Sequence, residues 1–112
     1  MSRRGSAYLG EFEQLVLLAV IQLGSEARAL EIRKELVEQA NRRTSRGALY
    51  ATLERLGQKG LLEWEVEDST PSRGGLPRRR FAATEAGLDA LRTSRQAVAN
   101  LSRGLNRLLA DS

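Results

Sequence analysis

The chain has no cysteine and no histidine. Without thiols there is no disulfide framework, no thiolate nucleophile and no Cys/His zinc site, and without imidazole there is no Ser-His-Asp triad. Aromatic residues make up only 4% of the sequence, with a single Trp. The longest purely apolar run, Leu15–Ile21, is too short to span a bilayer. The N-terminus carries Arg3 and Arg4, but Glu11 and Glu13 interrupt the apolar segment after it, so it does not read as a signal peptide. A cytoplasmic protein with no membrane segment, no cofactor and no metal is expected. No nucleophile–base constellation is visible, so it is not expected to be an enzyme. The acidic run Glu63, Glu65, Glu67, Asp68 invites a metal site, but alternating carboxylates on a strand's wet face are usually just solvated.

The 112 residues, 41% of them hydrophobic, amount to one modest core. A domain this small buries a limited share of its surface, which leaves room for a partner chain. The net charge of +4 is unevenly spread. Residues 41–60 hold five basic side chains against Glu54 alone, residues 61–68 hold four acids and no base, and residues 69–83 hold four arginines and no acid. Concentrated positive charge favours phosphates through counterion release.

The stretch Thr44–Leu62 organises the rest. Thr44 or Ser45 can cap a helix start. Leu49, Leu53 and Leu56 recur at helical spacing on one face, and Gly60 can take the left-handed conformation that ends a helix. Arg46, Tyr50, Arg55, Gln58 and Lys59 fall outside the apolar face. A short greasy face backed by basic, aromatic and amide groups suits a helix lying in a DNA groove. An ordinary amphipathic surface helix has the same pattern. Before it, Leu9–Leu23 reads as a helix apolar on most sides and so buried on most sides. Ala29–Ala40 reads as a second helix with a stripe of Leu30, Ile32, Leu36, Val37 and Ala40. Asn41, Arg42 and Arg43 form a basic turn into the third. Helix, short turn and basic helix is the arrangement of a helix-turn-helix.

After Gly60 the period changes. Leu62, Trp64 and Val66 alternate with glutamates, which is strand spacing with one dry face. The turn-rich segment to Pro77 leads into Arg78-Arg79-Arg80-Phe81-Ala82-Ala83, a returning strand with Phe81 and Ala83 inward and Arg80 outward. The result is a hairpin with a basic, glycine-containing tip, a wing beside the helix-turn-helix. Its backbone can approach phosphates and its arginines can neutralise them or enter a minor groove. A solvated surface loop is the plainer alternative.

Thr84 caps a last helix with Glu85 in its first turn, expected to run to about Leu109. Leu91, Val98 and Leu105, and Ser94, Leu101 and Leu108, form a heptad seam. It reads as a dimerisation helix, with packing back onto the chain's own first helix as the alternative. The expected architecture is therefore mainly α with a two-stranded wing: a winged helix-turn-helix over residues 1–83 and a C-terminal dimerisation helix over 84–112.

The pattern resembles the PadR family of transcriptional regulators over about residues 9–92. The matching pieces are Leu9-Gly10-Glu11-Phe12-Glu13, Glu31-Ile32, Ser45 to Leu56 followed by Lys59-Gly60-Leu61, Gly74 to Phe81, and Thr84-Glu85-Ala86-Gly87. The single short tail is similar to the small branch of that family. The resemblance implies a homodimer that binds double-stranded operator DNA, mostly as a repressor, and in many members release by a small-molecule effector. By position, Ser45, Gly47 and Tyr50 match recognition-helix residues near DNA, and Gly75, Pro77, Arg78 and Arg79 match the wing tip. Arg28-Ala29 departs from the family's usual aromatic–glycine pair, Leu76 from a basic residue and Phe81 from a tyrosine. The C-terminal helix has no aromatic residue to sandwich a flat drug.

The expected DNA-binding set is Arg43, Ser45, Arg46, Gly47, Tyr50, Arg55, Arg73, Gly75, Pro77, Arg78, Arg79 and Arg80. Arg46 could read a guanine edge or hold phosphate, and Tyr50 is favoured as a phosphate contact. The expected dimer interface is Leu9, Phe12, Leu91, Val98, Leu101, Leu105 and Leu108. The competing reading is a winged-helix module for protein–protein contact without specific DNA binding, which the arginines of the wing oppose.

Overall fold

The computed structural model describes residues 9–67 and 78–110. The order is α1 (Glu11–Leu23), a 3₁₀ turn (Gly24–Glu26), α2 (Ala29–Ala40), α3 (Arg46–Gln58), β1 (Leu62–Glu67), β2 (Arg78–Ala83), α4 (Glu85–Ser102) and α5 (Asn106–Leu109). This is a mainly helical chain with a two-stranded antiparallel wing.

The first helix is central, as its nearly continuous apolar surface requires. Val16, Leu17 and Val20 are buried from one side, and Ile32, Leu36, Leu49, Leu53 and Leu56 close the core from α2 and α3. Each such leucine stabilises the fold by about 1.5–3 kcal/mol through area removed from water. The expected stripe on α2 is narrower than its spacing suggests. Leu30 and Val37 lie 55% and 42% exposed, because α2 meets the core chiefly along Ile32 and Leu36, with Ala29 at its edge. Asn41 ends α2 in the left-handed conformation (φ 51°), with its N–H and that of Arg42 closing onto Val37 and Leu36 carbonyls.

Ser45 caps α3 by accepting from the Ala48 N–H at 3.0 Å. Gly60 (φ +76°) ends the helical run, and the Leu61 N–H folds back to the Leu56 carbonyl in the manner of a glycine-terminated helix. β1 and β2 pair with Trp64 opposite Phe81, Glu65 opposite Arg80 and Val66 opposite Arg79. Phe81 is buried and its N–H donates to the Ala27 carbonyl at 2.8 Å, tying the wing to the turn before α2. The dry face of β1 stops at Trp64; Val66, expected to continue it, is 63% exposed.

The start of α4 is welded to the end of α3. Thr84 Oγ1 accepts from the Gly87 N–H and donates to the Gly60 carbonyl, while the Thr84 N–H donates to the Leu61 carbonyl. A Cβ on Gly87 would sit 2.2 Å from the Leu61 oxygen, so only glycine permits this approach. The Lys59-Gly60-Leu61 and Thr84-Glu85-Ala86-Gly87 motifs are thus two halves of one contact.

The last helix departs from expectation. It stops at Ser102, and Gly104 turns the chain with φ +80° before the single turn of α5. A glycine in that conformation terminates a helix, so the heptad seam is not continuous to Leu108. Ala90, Leu91 and Ser94 are buried against the chain's own core, whereas Val98 and Leu101 are 59% and 84% exposed. The near half of α4 packs inward and the far half presents apolar surface.

Candidate nucleic-acid interface

The basic groups converge because three elements meet at one edge of the molecule. The N-terminal part of α2, the outer face of α3 and the paired ends of β1 and β2 enclose an open cleft of about 750 Å³. Arg28, Arg33, Arg46, Arg78 and Arg79 line it, with Glu31 as its one acid. Tyr50, Leu30 and Val66 supply exposed apolar surface between them. Arg28 and Arg79 are paired with acids outside the lining, so the positive charge of the concavity rests on Arg33, Arg46 and Arg78, and the apolar patches can lie against sugar or base faces.

Arg46, Gly47 and Tyr50 follow one another along the solvent side of α3, all exposed. Nothing lies within 4 Å of a Cβ built on Gly47, so the backbone there is open to close approach. Ser45 has its oxygen committed to the helix cap. Arg43 is exposed in the turn before α3. Arg33, Arg43, Arg46 and Arg78 form no ion pair with another described residue, and the Arg78 Nε is buried without a partner.

Other arginines are already engaged. Arg55, expected to face DNA, turns toward α1: its Nε donates to Glu13 Oε2 at 3.1 Å and its Nη2 to Thr52 Oγ1 at 3.2 Å. Lys59 Nζ donates to the same Glu13 oxygen at 2.9 Å. Burial pushes the Glu13 carboxyl up, but hydrogen bonds from Lys59, the Gly10 N–H and Arg55 outweigh it and hold the carboxyl below the usual range. Arg79 lies against Glu54 and Trp64. Arg80, on the outer face as expected, bonds Glu65 at 2.8 Å and approaches Glu67 at 3.6 Å.

Arg73, Gly75 and Pro77 lie outside the described residues. Arg28 and Arg33 join the cleft without any signal in helical spacing, because their place depends on how α2 meets the wing. Among the described residues no group of three or more acidic side chains is arranged to hold a metal, and no helix is long and apolar enough to cross a membrane.

Of the expected dimer residues, Leu9 and Leu91 are 7% and 4% exposed within a single chain, so little of either remains to be covered. Phe12 is half-buried under the Arg42 guanidinium, 5.0 Å from the ring centre. Val98, Leu101, Leu105 and Leu108 remain on the surface.

Residues 17–93 match the family model described as the transcriptional regulator PadR-like family. Among solved structures, a PadR-like transcription factor from Bacteroides fragilis is 28% identical, with a TM-score of 0.68 over 87% of this chain and 88% of that one. A PadR family transcriptional regulator from Eggerthella lenta is also 28% identical, with a TM-score of 0.66 over 91% and 88% of the two chains. The complex structure of hsRosR-S1 is similar at 26% identity and a TM-score of 0.63, over 88% and 81%. No curated protein matches the chain.

Proposed function

The chain belongs to the PadR-like family of transcriptional regulators, and from that premise we propose that it is a homodimeric repressor that occupies a pseudo-palindromic operator. The observation that carries this reading is the convergence of Arg33, Arg46, Tyr50 and Arg78 from three elements onto one open, positive cleft. In the bound state α3 enters the major groove with Arg46 at a guanine edge or a phosphate and Tyr50 on the backbone. Gly47 lets the helix come close, Ser45 fixes its first turn, and Arg43 adds charge beside it. Arg73, Gly75, Pro77 and Arg78 follow the flanking backbone from the wing. Arg55 and Arg80 act indirectly, through the contacts that hold α3 to α1 and β2 to β1.

Two copies pair through the exposed apolar half of α4, Val98 and Leu101, with Leu105 and Leu108 from the turn beyond it. This would set two recognition helices on successive major grooves about 34–36 Å apart. Repression follows from occupying the promoter. Release by a small-molecule effector is proposed from the family resemblance alone.

The test is a pair of alanine variants. Arg46→Ala and Tyr50→Ala should each cost about 1–3 kcal/mol of discrimination or affinity at the operator while leaving weak, salt-sensitive binding to any duplex. Unchanged operator preference in both would remove α3 from its assigned role.

A further inference from the structure

Among the described residues, Arg79 is the one wing arginine tied to the recognition helix. Its Nη1 lies 2.7 Å from Glu54 Oε2, and its guanidinium carbon lies 4.8 Å from the centre of the Trp64 ring. Trp64 in turn meets Phe81 edge-on at 5.7 Å and 62°. The indole presses on α3 at Gly57, where a Cβ would stand 2.7 Å from its Cζ3. Carboxylate, guanidinium, indole and the glycine gap therefore form one continuous stack from α3 through β2 and β1 back to α3.

Glu54 needs an explanation of its own. It is the only acid in residues 41–60, and an acid beside a DNA-reading face repels phosphate. An isolated exposed ion pair holds little by itself, but the aromatic ring beneath the guanidinium adds a second attraction on the same group.

We propose that Glu54 sets specificity by holding Arg79 on Trp64, so that Arg79 is a positioning residue that fixes the wing at one distance from α3 rather than a phosphate contact. This rests on the DNA-interface reading. With Glu54 in place, Arg79 is kept off the phosphates of any duplex, and the wing and helix engage DNA only as a rigid pair.

Trp64 is the sole tryptophan, so its fluorescence reports the stack without DNA. In the full chain, Glu54→Gln and Arg79→Met should both shift Trp64 emission and raise its quenching by acrylamide. On a mixed-sequence duplex, Glu54→Gln should steepen the dependence of log affinity on log salt by about 0.9, one added phosphate contact. The double variant should return to the wild-type slope. Preference of Glu54→Gln for a duplex selected in vitro by the wild-type protein should fall roughly fivefold or more, the size of one base contact. Unchanged Trp64 emission and quenching in both variants would overturn the stack. An Arg79→Met slope shallower than wild type by about 0.9 would overturn the positioning role and make Arg79 a phosphate contact. Absence of salt-sensitive binding by the wild-type protein would instead remove the DNA-interface reading, and the role of Glu54 with it.

Discussion

Arg28 grips both carboxylate oxygens of Glu67, thirty-nine residues away, with Nε 2.8 Å from Oε1 and Nη2 3.0 Å from Oε2. The two side chains are 17% and 20% exposed. The pair fixes the far end of β1 against the start of α2, where the Phe81 N–H also reaches the Ala27 carbonyl. Hydrogen bonding from Arg28 holds the Glu67 carboxyl below the ordinary range, and Glu67, with help from Glu26, raises Arg28. Replacing Arg28 with Met keeps most of the stem but removes the fork. Hydrogen exchange at the Phe81 amide should then accelerate relative to amides of α1. Equal protection in both proteins would show that the fork does not hold the wing.

Acid should loosen the same contacts. Glu13 and Glu67 both have folded pKa values depressed below 4.5. The stability they contribute is present above their unfolded pKa and is lost as pH falls through the lower folded values. Urea midpoints should be flat from pH 7 down to about 5 and decline below about 4.5. Glu13→Gln should flatten part of that decline. An undiminished acid decline in both Glu13→Gln and Glu67→Gln would contradict the assignment.

Gly87→Ala should destabilise the fold by about 3 kcal/mol or more, since the new Cβ meets the Leu61 carbonyl rather than a movable side chain. Gly47→Ala, with open space around its Cβ, should leave stability unchanged or slightly raised. Urea denaturation of the two variants checks the contrast, and equal stability would refute the close approach at Gly87.

These elements differ in how far the sequence discloses them. The existence, cap and buried leucine face of α3 are legible because a cap, a leucine spacing and a terminal glycine are all local signals. The two strands and the inward place of Phe81 follow from alternation, though Val66 leaves the dry face, and the Thr84 cap follows from its chemistry. The break after Ser102 was not legible: a heptad count passes through Gly104 unaltered, and the backbone angle alone decides. Arg55 fell outside the leucine face, as its spacing requires, yet α1 occupies that side and Glu13 captures it. Arg28 and Arg33 entered the cleft through tertiary packing, which no single-segment pattern encodes. Likewise Leu91 fits a heptad seam and an internal core equally well.

Ser94 illustrates the cost of that ambiguity. It is 6% exposed with its Oγ unpaired. Ser94→Ala should stabilise the chain by about 1 kcal/mol, measured by urea denaturation. A loss of stability would mean that the hydroxyl is satisfied in solution.

The dimer proposal makes its own demand. Leu101→Glu places a charge on the most exposed leucine of α4 and should convert a dimer to monomer in sedimentation velocity while helical content is kept. A dimer that persists would move the interface elsewhere.

Fluorescence anisotropy with the DNA upstream of the protein's own gene, against scrambled DNA at two salt concentrations, tests the central claim most directly. Tight binding with clear preference for the upstream DNA, weakening steeply as salt rises, is the expected result. A confirmed dimer that binds neither duplex at low salt would contradict it and favour a winged-helix module for protein contact.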